Sequence, residues 1–242
     1  MSTPSVATHY ETLLAPVYLW MAGGIEQALV QGASDVADLT GGSGLAVDLG
    51  AGFGMHSIPL ARAGYRVLAI DSSTYLLEQL RAFADGLPVD AAVADLLNFP
   101  GYLGKQRANV IVCMGDTLTH LADIHAMERL AKSVAASLAP GGRFVATFRD
   151  YTSLPEGTRR FIPVRSDSSR ILTCFLEEHG DQVLVHDILH ENQGGNWTMR
   201  VSSYQKLRLA PQTAQQIFEQ AGLNVSIAPG PRGMVKLIAQ SL

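Results

Sequence analysis

The chain has 242 residues, 47% hydrophobic and only 17% charged, with a net charge of -4 and no concentrated run of either sign. Such a chain can bury a substantial core, as one large domain or two small ones. The charge balance argues against nucleic acid as the main partner, since phosphate binding relies on clustered Lys and Arg, and every apolar stretch is broken well short of a membrane span.

The opening segment `MSTPSVATHYETLL` lacks a basic region followed by an apolar core and does not read as a secretory signal. The overlapping `HYETLLAPVYLWMAGG` is amphipathic and carries Tyr10, Tyr18 and Trp20, so residues 1–40 are expected to form lid helices. From 41 to 150 short apolar strands alternate with amphipathic helices. `LAVDLG` is a strand and `GMHSIPLARAG` a helix ended by Gly64; `YRVLAIDSS` is a strand and `YLLEQLRAFAD` a helix. `VDAAVAD` and `ANVIVCMGD` are further strands, `IHAMERLAKSVAASLAPGG` is a long helix stopped by Pro140 and two glycines, and `RFVATFRD` is a fifth strand. That rhythm predicts a parallel sheet covered on both faces.

After Asp150 the rhythm changes. `RFIPVRS`, `SRILTCFLEEH`, `DQVLVHDILHEN` and `NWTMRVSSYQKLRLA` are strand-like runs separated by short turns, which predicts an antiparallel meander inserted over 151–208. Over 209–242, `PQTAQQIFEQAG` reads as a helix, and `LNVSIA` and `GMVKLIAQ` as strands whose `PGPRG` link is too short for a parallel crossover. Cys113 and Cys174 lie in strand-like contexts without metal-ligand spacing, so no metal site is expected and the chain reads as cytosolic. The whole is expected to be a single domain.

The stretch `VDLGAGFG` places three glycines between a strand and a helix. Gly50, Gly52 and Gly54 bare the backbone at the sheet's carboxyl edge, where a ligand can approach the main chain. Asp48, Asp71 and Asp95 close three successive strands, so their carboxylates should line one crevice suited to a nucleoside. The spacing is G-x-G-x-G, with Met55 where a dinucleotide fingerprint has its third glycine, and a pyrophosphate would be poorly served by Asp48.

With `AIDSS`, `AVADLLNF`, `VIVCMGDTLTHL` and `LAPGGRFVATF` in the same order, residues from about 40 to 150 resemble the class I S-adenosylmethionine-dependent methyltransferases. The resemblance implies an α/β, Rossmann-like, seven-stranded, mostly parallel sheet ending in an antiparallel hairpin. It implies S-adenosyl-L-methionine as cofactor: Asp48, Gly50, Ala51, Gly52 and Gly54 under the methionine part, Asp71 on the ribose hydroxyls, Ser72 beside the adenine. Asp95 and Leu96 would bond the adenine edge, and Met114 and Gly115 would line the methyl donor. Tyr10, Tyr18 and Trp20 would fold over the cofactor from the lid.

`CMGDTLTHL` is similar to small-molecule N-methyltransferases of the glycine N-methyltransferase type, which makes His120 a candidate acceptor contact or base. Arg149 and Tyr151, at the end of the fifth strand, are the other candidates for acceptor chemistry. The inserted meander would serve as substrate cover or dimer element, leaving monomer and homodimer both open. The acceptor is expected to be a small molecule methylated on nitrogen or oxygen. A nicotinamide-dependent oxidoreductase and a non-catalytic cofactor-binding scaffold remain the alternatives.

Overall fold

The structure, a computed structural model, describes residues 5–241. The apolar run before the glycines forms β1 (Gly44–Leu49), buried along all but its first residue. β2 (Tyr65–Asp71), β3 (Val89–Val93), β4 (Ala108–Cys113) and β5 (Leu138–Phe148) follow, each reached through a crossover. β1 pairs in parallel with both β2 and β4, so the strand order reverses at its carboxyl end, the place where open α/β sheets bind ligands. The full order, with β10 (Asn224–Pro229) and β11 (Val235–Gln240), is β10-β11-β5-β4-β1-β2-β3. β11 is antiparallel to both neighbours, as the short `PGPRG` link requires.

The helix Ile124–Ser137 begins at Asp123, whose Oδ1 accepts from Ala126 N at 2.7 Å. It packs with the helix Pro211–Gln220 on one sheet face, where Phe218 stacks on Phe144 at 4.8 Å between ring centroids. This helix stops before Leu138, earlier than the sequence suggests: Leu138 already pairs with Ala108 as the first residue of β5. Asn109 lies in β4, and its Oδ1 accepts from Leu45 N at 3.1 Å, fastening β4 to β1.

Between β5 and Pro211 the chain builds a second sheet. β6 (Phe161–Ser166), β7 (Arg170–His179), β8 (Gln182–Gln193) and β9 (Asn196–Leu207) form a continuous antiparallel meander. Alternation along β8 puts Val183, Val185, Asp187 and Leu189 on its buried face. The N-terminal helices lie across that face: Val6–His9, a π-helical turn Tyr10–Leu14, then Ala15–Met21, with Leu13, Leu14 and Val17 packed on Leu172 and Leu189. The helix Ile25–Asp35 then returns to the main sheet. Among the described residues no single helix is long and apolar enough to cross a membrane.

Candidate active site

β1 delivers Asp48 to the switch point, where it is 1% exposed. Its Oδ2 accepts from Ser57 Oγ at 2.6 Å, while Oδ1 is buried with no hydrogen-bond partner. Burial pushes this carboxyl up, opposed by neighbouring His56 and by Ser57. Gly50 answers to two demands, a φ of +77° and a close neighbour. A β-carbon at Gly50 would meet Thr117 Cγ2 at 2.5 Å, so the turn is bare because the β4 loop packs on it. Gly52 adopts φ +54°, and its N–H donates to Asp71 Oδ2 at 2.8 Å. Asp71 Oδ1 accepts from Ser73 N, also at 2.8 Å, so the glycine turn and the tip of β2 are joined through one carboxylate. Burial raises the Asp71 carboxyl, opposed by those amides. Ala51 and Gly54 complete the buried turn, while Ser72 is exposed beside Asp71.

At the tip of β3, Asp95 is exposed and its Oδ1 accepts from Leu97 N at 2.8 Å, capping a short turn that begins at half-buried Leu96. At the tip of β4, Met114 is buried and Gly115 turns at φ +70° with no atom within 4 Å of where its β-carbon would stand. Asp116 follows in a left-handed conformation, φ +76°, which costs a non-glycine residue about 1 kcal/mol or more. Four hydrogen bonds hold it there. Oδ1 accepts from Arg149 N at 2.8 Å and Thr119 Oγ1 at 3.1 Å; Oδ2 accepts from Tyr151 OH at 2.8 Å and from Lys206 Nζ. Burial would raise the Asp116 carboxyl, but the Lys206 ammonium outweighs it and holds the group below its ordinary value. Burial in turn would discharge Lys206, and Asp116 with Tyr151 keeps it protonated.

His120 ends the short turn after Asp116. Its ring centroid lies 5.6 Å from those of both Tyr10 and Tyr204, and its Nε2 is buried without a hydrogen-bond partner. Burial, helped by the Lys206 charge, lowers the imidazole to about 3, so it is neutral at ordinary pH. Burial pushes the hydroxyls of Tyr10, Tyr18, Tyr151 and Tyr204 up. Tyr10 lies 5.8 Å from Tyr18, and Tyr18 lies 5.9 Å from Phe53, so aromatic rings run from His120 to the glycine turn.

The structure therefore gathers Tyr10, His120, Tyr151 and the β4 tip, and places Tyr18 over the glycine turn. Two predicted residues stand apart. Trp20 Nε1 donates to Asp167 Oδ2 at 2.5 Å, with Arg165 and Arg170 over the indole, so its ring is engaged by the β6–β7 turn. The Arg149 side chain is exposed and donates to Arg232 O at 3.4 Å; only its main-chain amide reaches the cluster. His56 stands just before the helix Ser57–Arg62 without capping it, and its Nε2 lies 3.2 Å from Asp35 Oδ2. Lys206 went unnoticed in the sequence, although its signal was there: in `YQKLRL` it has the same parity as Tyr204, the buried one.

Residues 46–142 match the family model described as a methyltransferase domain. This segment is a methyltransferase domain. The strand order of the whole main sheet, with its reversed last strand, is that of the class I, S-adenosylmethionine-dependent fold. The chain is 33% identical over 102 residues to a ubiquinone biosynthesis O-methyltransferase from Methylobacterium, covering 41% of this chain and 39% of that protein. It is 26% identical over 112 residues to a glycine/sarcosine/dimethylglycine N-methyltransferase from Actinopolyspora halophila, covering 45% of this chain and 20% of that one. The chain thus spans at most about two fifths of the length of these curated relatives. The fold match is far longer: the structure of the CcbJ methyltransferase from Streptomyces caelestis superposes with a TM-score of 0.79 at 21% identity, over 97% of this chain and 98% of that one.

S-adenosylmethionine is the cofactor of this class, and the methyltransferase domain has groups that fit it. The unpartnered Asp48 Oδ1 would receive the methionine ammonium. Asp71 keeps lone pairs for two ribose hydroxyls beyond the amides it already bonds. The bare edge at Gly115 would leave room for the methyl donor.

Proposed function

We propose that the chain catalyses S-adenosylmethionine-dependent methyl transfer to the amine nitrogen of a small-molecule acceptor. When bound, the cofactor supplies a sulfonium-activated methyl group open to in-line displacement. The observation that carries the amine reading is the neutral, unpartnered Nε2 of His120 among tyrosine rings beside the β4 tip.

A hydroxyl acceptor benefits from a base matched to its task, and the cluster offers none. His120 is held down to about 3. Tyr10, Tyr151 and Tyr204 retain their protons, Lys206 stays charged, and Asp116 has its hydrogen-bonding capacity spent. An amine that arrives deprotonated needs only orientation, and orientation alone can lower a barrier by about 7–11 kcal/mol at best. His120 Nε2 would accept from the amine N–H and turn its lone pair toward the donor, while Tyr10 and Tyr204 exclude water. Asp116 and Tyr151 would fix the wall of that subsite. The glycine spacing and Asp48 speak against a nicotinamide cofactor. On the same reading the protein works in the cytoplasm, where the free thiols Cys113 and Cys174 stay reduced, as a monomer or homodimer.

The test is transfer of radiolabelled methyl from S-adenosylmethionine to matched small-molecule panels, one bearing amines and one only hydroxyls. Labelling confined to the amine panel is expected. Labelling of hydroxyls alone would overturn the amine reading, and failure to bind S-adenosylhomocysteine would overturn the methyltransferase reading itself.

A further inference from the structure

His9 is 0% exposed, although it lies only one turn into the first helix. Both ring nitrogens are engaged across the gap to the inserted sheet: Nδ1 with Ser202 Oγ at 2.8 Å and Nε2 with Asp187 Oδ2 at 2.9 Å. Ser202 and Asp187 are register partners on β9 and β8, so the imidazole sits across a single rung of that sheet. A carboxylate only accepts, so Nε2 donates to Asp187, while Nδ1 and the Ser202 hydroxyl share the second bond. The ring also lies on Tyr204, 4.2 Å between centroids and tilted by 31°. The next residue is Tyr10, whose ring faces His120 and Tyr204.

Arg200 Nη1 also donates to Thr12 O, but in an exposed contact at 3.4 Å, and the Trp20–Asp167 bond lies farther along the chain. Leu13, Leu14 and Val17 rest on Leu172 and Leu189 through apolar packing, which is non-directional and tolerates sliding. Two short hydrogen bonds from one fully buried ring define both where the lid sits along the sheet and how it is turned. We propose that His9 is a positioning residue: its clasp on Asp187 and Ser202 seats the N-terminal lid so that Tyr10 completes the acceptor subsite beside His120. The clasp is a property of the fold; its consequence for the acceptor rests on the methyltransferase reading above.

Hydrogen–deuterium exchange of the full chain without ligand tests the clasp. In His9→Ala, amides of residues 9–14 should exchange about 10- to 100-fold faster, the size expected for losing a buried hydrogen bond to a charged group. Amides of β1 and β4 should keep their wild-type rates. His9→Gln, which retains a donor for Asp187, should fall between, and adding Asp187→Ala to His9→Ala should accelerate the lid little further, since the two act as one unit. With an acceptor that the wild type methylates, His9→Ala should lower kcat about tenfold or more while leaving KM for S-adenosylmethionine within about threefold. Unchanged lid exchange in His9→Ala, or equal acceleration in β1 and β4, would overturn the proposal. If S-adenosylhomocysteine gives wild-type residues 50–54 no protection, it is the methyltransferase reading that falls, and the unliganded lid result still decides the clasp.

Discussion

Replacing Lys206 by Met would leave the buried Asp116 carboxylate without its cation. The side chains are 8% and 7% exposed, so water cannot take the place of the ammonium. Breaking a buried pair from one side costs about 3–5 kcal/mol. Here the lower end applies, because Tyr151 OH, Thr119 Oγ1 and Arg149 N still donate to Asp116. For a chain of this size, about 3 kcal/mol corresponds to a fall of about 6–12 °C in melting temperature. The loss carries a pH signature. In the wild type the folded-state carboxyl is held low, so its stabilisation is present above the ordinary carboxylate value and is lost as pH falls through the lowered one. In Lys206→Met burial is opposed only by the remaining hydrogen-bond donors, and the folded value rises. The group then destabilises increasingly as pH climbs from the ordinary carboxylate value toward the raised one. Thermal melts followed by circular dichroism should show a wild-type-to-mutant gap wider at pH 8 than at pH 5. Asp116→Asn combined with Lys206→Met should recover part of the loss, since no lone charge remains. A gap under about 2 °C that is the same at both pH values would refute the reasoning.

On the proposed function, Asp71→Ala should weaken S-adenosylhomocysteine binding about 100-fold or more by calorimetry, since the carboxylate would take a charge-assisted pair of ribose contacts. Gly32→Ala should destabilise the fold by about 1–3 kcal/mol in urea, because a β-carbon there would stand 1.8 Å from Met55 O and the helix Ile25–Asp35 would have to move off the glycine turn. With an amine acceptor, kcat/KM should rise with pH only as the acceptor loses its own proton, because His120 is already neutral with its value held to about 3. An added enzyme inflection between pH 6 and 7 would assign His120 a proton-transfer role instead.

The order of the main sheet was legible because its signals are local. Short apolar strands, glycine turns and a two-proline link each dictate a crossover or a hairpin, and the four inserted strands announce themselves by period-two alternation. The carboxylates at the strand tips were legible for the same reason. What escaped the sequence are partnerships that only tertiary folding makes. Lys206 meets Asp116 across 90 positions, and His9 meets Asp187 across 178. Trp20 carries the composition of a cofactor-covering aromatic, yet its indole N–H finds the Asp167 turn first. The π-helical turn at Tyr10–Leu14 likewise leaves no mark in a pattern read at helical spacing.

The chain departs from its main sheet after Phe148 and rejoins it at Pro211. Everything between is a cassette, and it meets the β4 tip through Tyr151 and Lys206 on Asp116. A lineage could exchange that cassette for another and retain the same donor while acquiring a different clientele. One condition would travel with every exchange: the newcomer must bring a positive group to meet Asp116, or Asp116 must itself be replaced.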